Sequence, residues 1–149
     1  MKKQLIALAA SAAVMAPAMA VAQEDETLEA CYIYVGPVGD YGWSYQHDQA
    51  RQALEAHFDG AVTTRFLESV SEGADAERAI ERFARQGCDI VFTTSFGFMD
   101  ATNTVAERFP DIKFEHATGY RRDHPNVATY DARFYEGRYI QGQIAASIS

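Results

Sequence analysis

Apolar runs and helical apolar stripes alternate along most of this chain. The run Cys31–Val35 reads as a short buried strand, and Val62–Leu67, Asp89–Thr94, Ile112–Glu115 and Val127–Tyr130 read as four more. Helices are predicted between them. Residues 44–58 place Ala50, Ala53, Leu54, His57 and Phe58 on one face, and Asp59-Gly60 ends that helix. Ala76, Ala79, Ile80, Phe83 and Ala84 follow i, i+3, i+4, i+7, i+8 spacing, with Gly87 as the stop. A third helix covers 98–109 with Met99, Thr102, Val105, Ala106 and Phe109 inward and Pro110 as breaker. The last begins near Tyr135, with Tyr139, Ile140, Ile144 and Ile148 apolar. Strands separated by helices predict an α/β fold, a doubly wound parallel sheet covered on both faces.

The start of the chain follows a different pattern. Lys2 and Lys3 precede an Ala-rich apolar core, Leu5–Ala16, and small residues at 18, 20 and 22 offer cleavage after Ala20 or Ala22. This is the pattern of a secretory signal peptide over residues 1–22. It leaves a mature region, 23–149, that is exported to the periplasm with no later stretch apolar enough to insert in a membrane. The string Leu28-Glu29-Ala30-Cys31 is a poor lipidation box, because the acidic run Glu24-Asp25-Glu26 separates it from the apolar core.

The whole chain carries a formal charge of −8, and loss of the two leader lysines takes it to about −10. Such a domain repels polyanions, which argues against nucleic acid as a partner. Cys31 opens the first predicted strand and Cys88 precedes the third. In an oxidising compartment they can pair if those strands are parallel neighbours, the alternative being two buried thiols.

In a parallel sheet every strand-to-helix loop lies on one edge, and ligands sit just beyond the carboxyl ends of the strands. The loops predicted there hold Asp40, Tyr41 and Trp43 after strand one, Ser95 and Phe96 after strand three, and Asp131 after strand five. Aromatic faces stack on flat rings, and carboxylates accept hydrogen bonds. Asp40, Trp43, Ser95, Phe96 and Asp131 are therefore the candidate ligand contacts. For Asp40 the competing role is an Asx-turn or helix cap. Phe98 and Phe134 read as packing, and Glu136 as an N-terminal helix charge.

Other chemistries fit less well. His47 and His57 lie ten residues apart on one helix, too far to chelate together, and no cysteine stands at ligand spacing from His116 or His124. Ser95 lies in Thr-Ser-Phe-Gly and not in a G-x-S-x-G elbow. Gly36, Gly39 and Gly42 have G-x-x-G-x-x-G spacing, which is not the dinucleotide fingerprint. The reading is of a non-enzyme without a cofactor or metal.

Five segments together carry a family resemblance: YVGPVGDYGWSYQHD (34–48), ESVSEGADAER (68–78), TTSFGFM (93–99), FEHATGY (114–120) and YDARFYEGRYIQG (130–142). They resemble the basic membrane protein (BMP) family of ABC-transporter substrate-binding proteins, in its purine- and nucleoside-binding branch. The resemblance implies a two-lobed type I periplasmic binding protein, with 23–149 as an N-terminal lobe that ends before the second. It implies a small planar heterocycle held in the interlobe cleft, with Asp40, Trp43, Phe96 and Asp131 at the site. It also implies delivery to an ABC permease at the inner membrane. The alternative is a ligand-sensing domain of a periplasmic signalling receptor.

Overall fold

The computed structural model describes residues 27–148, so the predicted leader lies outside the described residues. Five strands, β1 (Leu28–Ile33), β2 (Val62–Leu67), β3 (Ile90–Thr93), β4 (Lys113–Ala117) and β5 (Val127–Tyr130), form one sheet in the order β2-β1-β3-β4-β5. Every adjacent pair is parallel. Four helices follow strands: α1 (Trp43–Phe58), α2 (Ala74–Arg85), α3 (Met99–Arg108) and α4 (Phe134–Ile148). The α/β parallel architecture expected from the sequence is therefore present.

β1 begins three residues earlier than its apolar run, because Leu28 pairs with Val62 and the Glu29–Arg65 ion pair crosses to β2. Cys31 is consequently in the middle of the strand and not at its start. It is joined by a disulfide to Cys88 in the turn before β3, with the Cα atoms 6.0 Å apart.

Alternation along β1 divides the core. Cys31 and Ile33 point to one face, where they pack with Ala76, Ile80 and Phe83 of α2 and with Val91, Val105 and Phe114. Ala30, Tyr32 and Tyr34 point to the other, towards Leu54 of α1 and Phe92. The stripe predicted for α2 is the one buried, and the two arginines of its last turn sit where the helix dipole favours cations.

The face predicted for α1 is not the buried one. Ala50, Ala53, His57 and Phe58 are exposed, and the buried residues are Ser44 and Asp48. A polar network explains this. Asp48 accepts from Arg51 Nε at 2.7 Å and from Gln52 Nε2 at 2.6 Å, and Tyr34 approaches it at 3.4 Å. Arg51 also donates to the Thr64 hydroxyl at 2.7 Å, and that hydroxyl donates to Glu55. The guanidinium lies 4.9 Å from the Phe66 ring centre. A charged face can go under a helix when each buried group finds a partner.

The last helix, α4, buries none of its residues, and Tyr139, Ile140, Ile144 and Ile148 are all exposed. No helix among the described residues is long and apolar enough to cross a membrane.

Two predictions follow the core. Burial raises the Asp48 pKa, but hydrogen bonds from Arg51 and Gln52 and the Arg51 charge outweigh it, so the carboxyl titrates below its ordinary 3.8. A lowered folded-state pKa contributes stability that is full above about pH 4 and is lost as pH falls through the folded value. Asp48→Asn should cost about 2–3 kcal/mol at pH 7 and show a shallower loss below pH 4, measured by urea unfolding across pH. The disulfide closes a 57-residue separation. Its reduction should lower stability by about 4 kcal/mol, read as a fall in thermal midpoint with reductant that the Cys31→Ser/Cys88→Ser double variant shows without it.

Candidate functional site

The carboxyl ends of the strands carry a loop system held by its own hydrogen bonds. After β1, the Gly36 N–H donates to Ser44 Oγ at 3.1 Å and the Val38 N–H to Glu68 Oε2 at 2.7 Å, so the β1 and β2 loops support each other. Asp40 accepts from the Gly42 N–H at 2.8 Å, closing an Asx-turn around Tyr41, whose φ is 56°. The turn delivers Trp43 as the first residue of α1. The Trp43 indole N–H donates to the Thr94 carbonyl at the end of β3, which fixes the ring across two strands.

After β3, Ser95 donates its hydroxyl proton to Glu72 Oε1 at 2.7 Å. Gly97 permits this, because a Cβ there would overlap the Glu72 carboxylate. Phe96 is 55% exposed, while Phe98, two residues on, is fully buried. After β4, the Thr118 hydroxyl donates to the Ala117 carbonyl at 2.6 Å, and the Thr118 N–H bonds the Tyr130 carbonyl at 2.8 Å. After β5, Asp131 Oδ1 accepts from the Ala132 N–H at 2.8 Å.

These loops border an open hollow of about 620 Å³ lined by Trp43, Ser95, Phe96, Thr118, Asp131 and Phe134, with Val35 and Arg138 completing it. Trp43 and Phe134 are 5.7 Å apart between ring centres. Trp43, Thr118, Asp131 and Phe134 also border a second, more apolar hollow between α1 and β5, reached past His47, Ala50 and Tyr130. Burial lowers the His47 pKa and raises that of Tyr130, so desolvation favours the neutral form of each.

The structure brings Trp43, Ser95, Phe96 and Asp131 together on one hollow. Asp40 is absent from that lining, and its carboxylate shapes the turn beneath Trp43. Phe134, read from the sequence as packing, is on the lining and is 40% exposed. Thr118, Glu72 and Arg138 were not singled out by sequence. Thr118 takes φ 63°, a left-handed conformation that a β-branched residue rarely adopts and that its side chain does not announce. The signal for Glu72 was the glycine opposite it, legible only once the loops are adjacent.

His116 stands under the rim. It is fully buried, its Nδ1 lies 3.1 Å from the Thr93 hydroxyl and 3.3 Å from the Thr93 carbonyl, and Nε2 meets no partner among the described residues. The carbonyl assigns the proton to Nδ1. Burial pushes the ring pKa down, against the opposing pull of the Thr93 carbonyl.

A parallel α/β sheet with an aromatic-walled hollow at its carboxyl edge has the architecture of α/β proteins that hold ligands beyond the ends of their strands. The chain belongs to the Bmp family, the PnrA-like ABC transporter substrate-binding proteins, whose family model matches residues 28–149. It is 59% identical over 128 residues to a purine-binding protein of Brucella abortus (strain 2308), covering 86% of this chain and 36% of that protein. It is 43% identical over 126 residues to a protein named as an ABC transporter glucose-binding protein of Haloferax volcanii, covering 85% and 32%. An ABC transporter solute-binding protein structure from Conexibacter woesei shares the fold with a TM-score of 0.61 at 21% identity, over 70% of this chain and 35% of that one. The chain spans about a third of the length of the curated relatives it matches.

Two glycines in the rim test its rigidity. A Cβ at Gly119 would overlap the His116 ring, which is fully buried and has nowhere to go. A Cβ at Gly97 meets the far end of an exposed glutamate that can swing away. Gly119→Ala should cost about 2 kcal/mol and Gly97→Ala under about 1 kcal/mol, compared by thermal unfolding of the two variants.

Proposed function

We propose that the intact protein captures a small planar heterocycle, a purine or nucleoside, in the periplasm and hands it to an ABC permease at the inner membrane. Binding is without turnover. The observation that carries this reading is the convergence of Trp43, Phe96 and Phe134 with Ser95 and Asp131 on one hollow at the carboxyl ends of parallel strands. Flat aromatic walls suit a stacked ring, and the few polar groups between them suit its edge. The name of the 59% identical relative supports a purine.

In this reading residues 23–149 form the first lobe and the start of a crossing. α4 leaves the sheet at Asp131 and lies away from the core, so its apolar residues suit packing in a second lobe that closes over the hollow. Trp43, Ser95, Phe96 and Asp131 contact the ligand, and Asp40 holds the loop that presents Trp43. The leader over 1–22 accounts for export, and the pairing of Cys31 with Cys88 suits an oxidising compartment.

Calorimetry of the intact protein against adenine, guanosine and glucose tests the proposal. A purine or nucleoside should bind, and Trp43→Ala should weaken it by about 1–3 kcal/mol, the range for base–aromatic stacking. Unchanged affinity in the variant would remove Trp43 from the site. Glucose binding with no response to any purine would overturn the ligand class.

A further inference from the structure

The polar side chains lining the hollow are sorted by hydrogen-bond sense. Ser95 commits its only proton to Glu72. Thr118 commits its own to the Ala117 carbonyl. Asp131 is a carboxylate, and one of its oxygens already takes the Ala132 N–H. The Trp43 indole N–H is spent on the Thr94 carbonyl, so that ring offers the hollow a π face without a donor. What remains at Ser95, Thr118 and Asp131 is lone pairs. Among the lining side chains Arg138, on α4, supplies the N–H donors.

We propose that this hollow selects its ligand by donor groups: the bound heterocycle turns N–H or amino hydrogens to Ser95, Thr118 and Asp131 and its ring-nitrogen or carbonyl acceptors to Arg138. The inference rests on the purine reading above and narrows it to amino- or imino-bearing purines. An acceptor facing an acceptor across a desolvated contact leaves both without a partner, and a site built this way discriminates strongly against the analogue lacking the donor. Glu72 is the positioning residue of the arrangement. It touches no ligand in this reading and acts by holding the Ser95 proton, and the absence of a Cβ at residue 97 allows it to do so.

The test compares 9-methyladenine and 9-methylguanine with 9-methylpurine by calorimetry on the intact protein. The last has the same stacking face and no N–H, and it is the smaller molecule, so steric exclusion cannot explain its rejection. At least one amino-bearing base should bind about tenfold or more tighter than 9-methylpurine. Glu72→Gln should narrow that ratio, because its amide can donate to Ser95 and release the serine proton towards the ligand, while a merely structural Glu72 would weaken all three ligands alike. Equal binding of the three bases overturns the donor rule and leaves the purine reading standing. Absence of binding by all three, with adenine and guanosine also silent, overturns both. A ratio that Glu72→Gln leaves unchanged removes Glu72 from the selection.

Discussion

Parallel pairing of β1 with β2 on one side and β3 on the other is the constraint on which the rest depends. Parallel strands send all their carboxyl ends to one edge, so loops far apart in sequence become neighbours without any contact designed between them. Ser95 and Glu72 are 23 residues apart and Trp43 and Thr94 are 51 apart, yet both pairs share hydrogen bonds because β1, β2 and β3 end together. Right-handed crossovers place α1 on one face and α2 with α3 on the other. The disulfide then ties β1 to the turn that enters β3.

The two faces of the sheet solve burial differently. On the α2–α3 side, aliphatic and aromatic residues fill the space, and the polar groups there are few: Thr93 bonds Thr102 at 2.9 Å, Asn126 caps the carbonyls of Ala106, Phe109 and Ile112, and His116 leaves Nε2 without a partner among the described residues. On the α1 side, the Tyr32 and Phe92 rings stack at 4.6 Å, and burial raises the Tyr32 phenol to about 12. Next to them Glu115 is half-buried with its carboxyl pushed up by desolvation. The Asp48–Arg51 pair lies under α1 on this same side. A charged, fully bonded interface offers less stabilisation than an apolar one of equal area, but it admits few alternative packings. α1 carries Trp43 at its first turn, so a helix that cannot slide holds the indole in place.

The rim combines rigidity below with exposure above. Phe98 is fully buried, and so is His116 against Gly119, whereas Phe96, Tyr120 and Phe134 are open to solvent. Large exposed aromatic rings on a packed base are a patch that solvent alone does not explain. α4 likewise leaves its apolar residues exposed.

Much of this was legible in the chain alone. The strand signals located all five strands within a few residues, most cleanly in β1 and β3 where both faces are covered, and α2 showed its stripe because one of its faces meets an aliphatic core. The loops at the carboxyl edge were marked by their aromatics, because large rings are poor choices for solvent-facing turns, while the glycines beside them are ordinary turn residues. The burial of α1 was hidden. Its apolar residues formed a plausible stripe, and only the positions of Tyr34, Thr64 and Phe66 on neighbouring strands made Asp48 and Arg51 the inward pair. Likewise nothing local distinguishes a serine that donates to a ligand from one whose proton is already taken. Composition and periodicity determine which segments are strands, helices and rim. The sense of each hydrogen bond at the rim is decided by neighbours distant in sequence, and those exist only once the strands have paired.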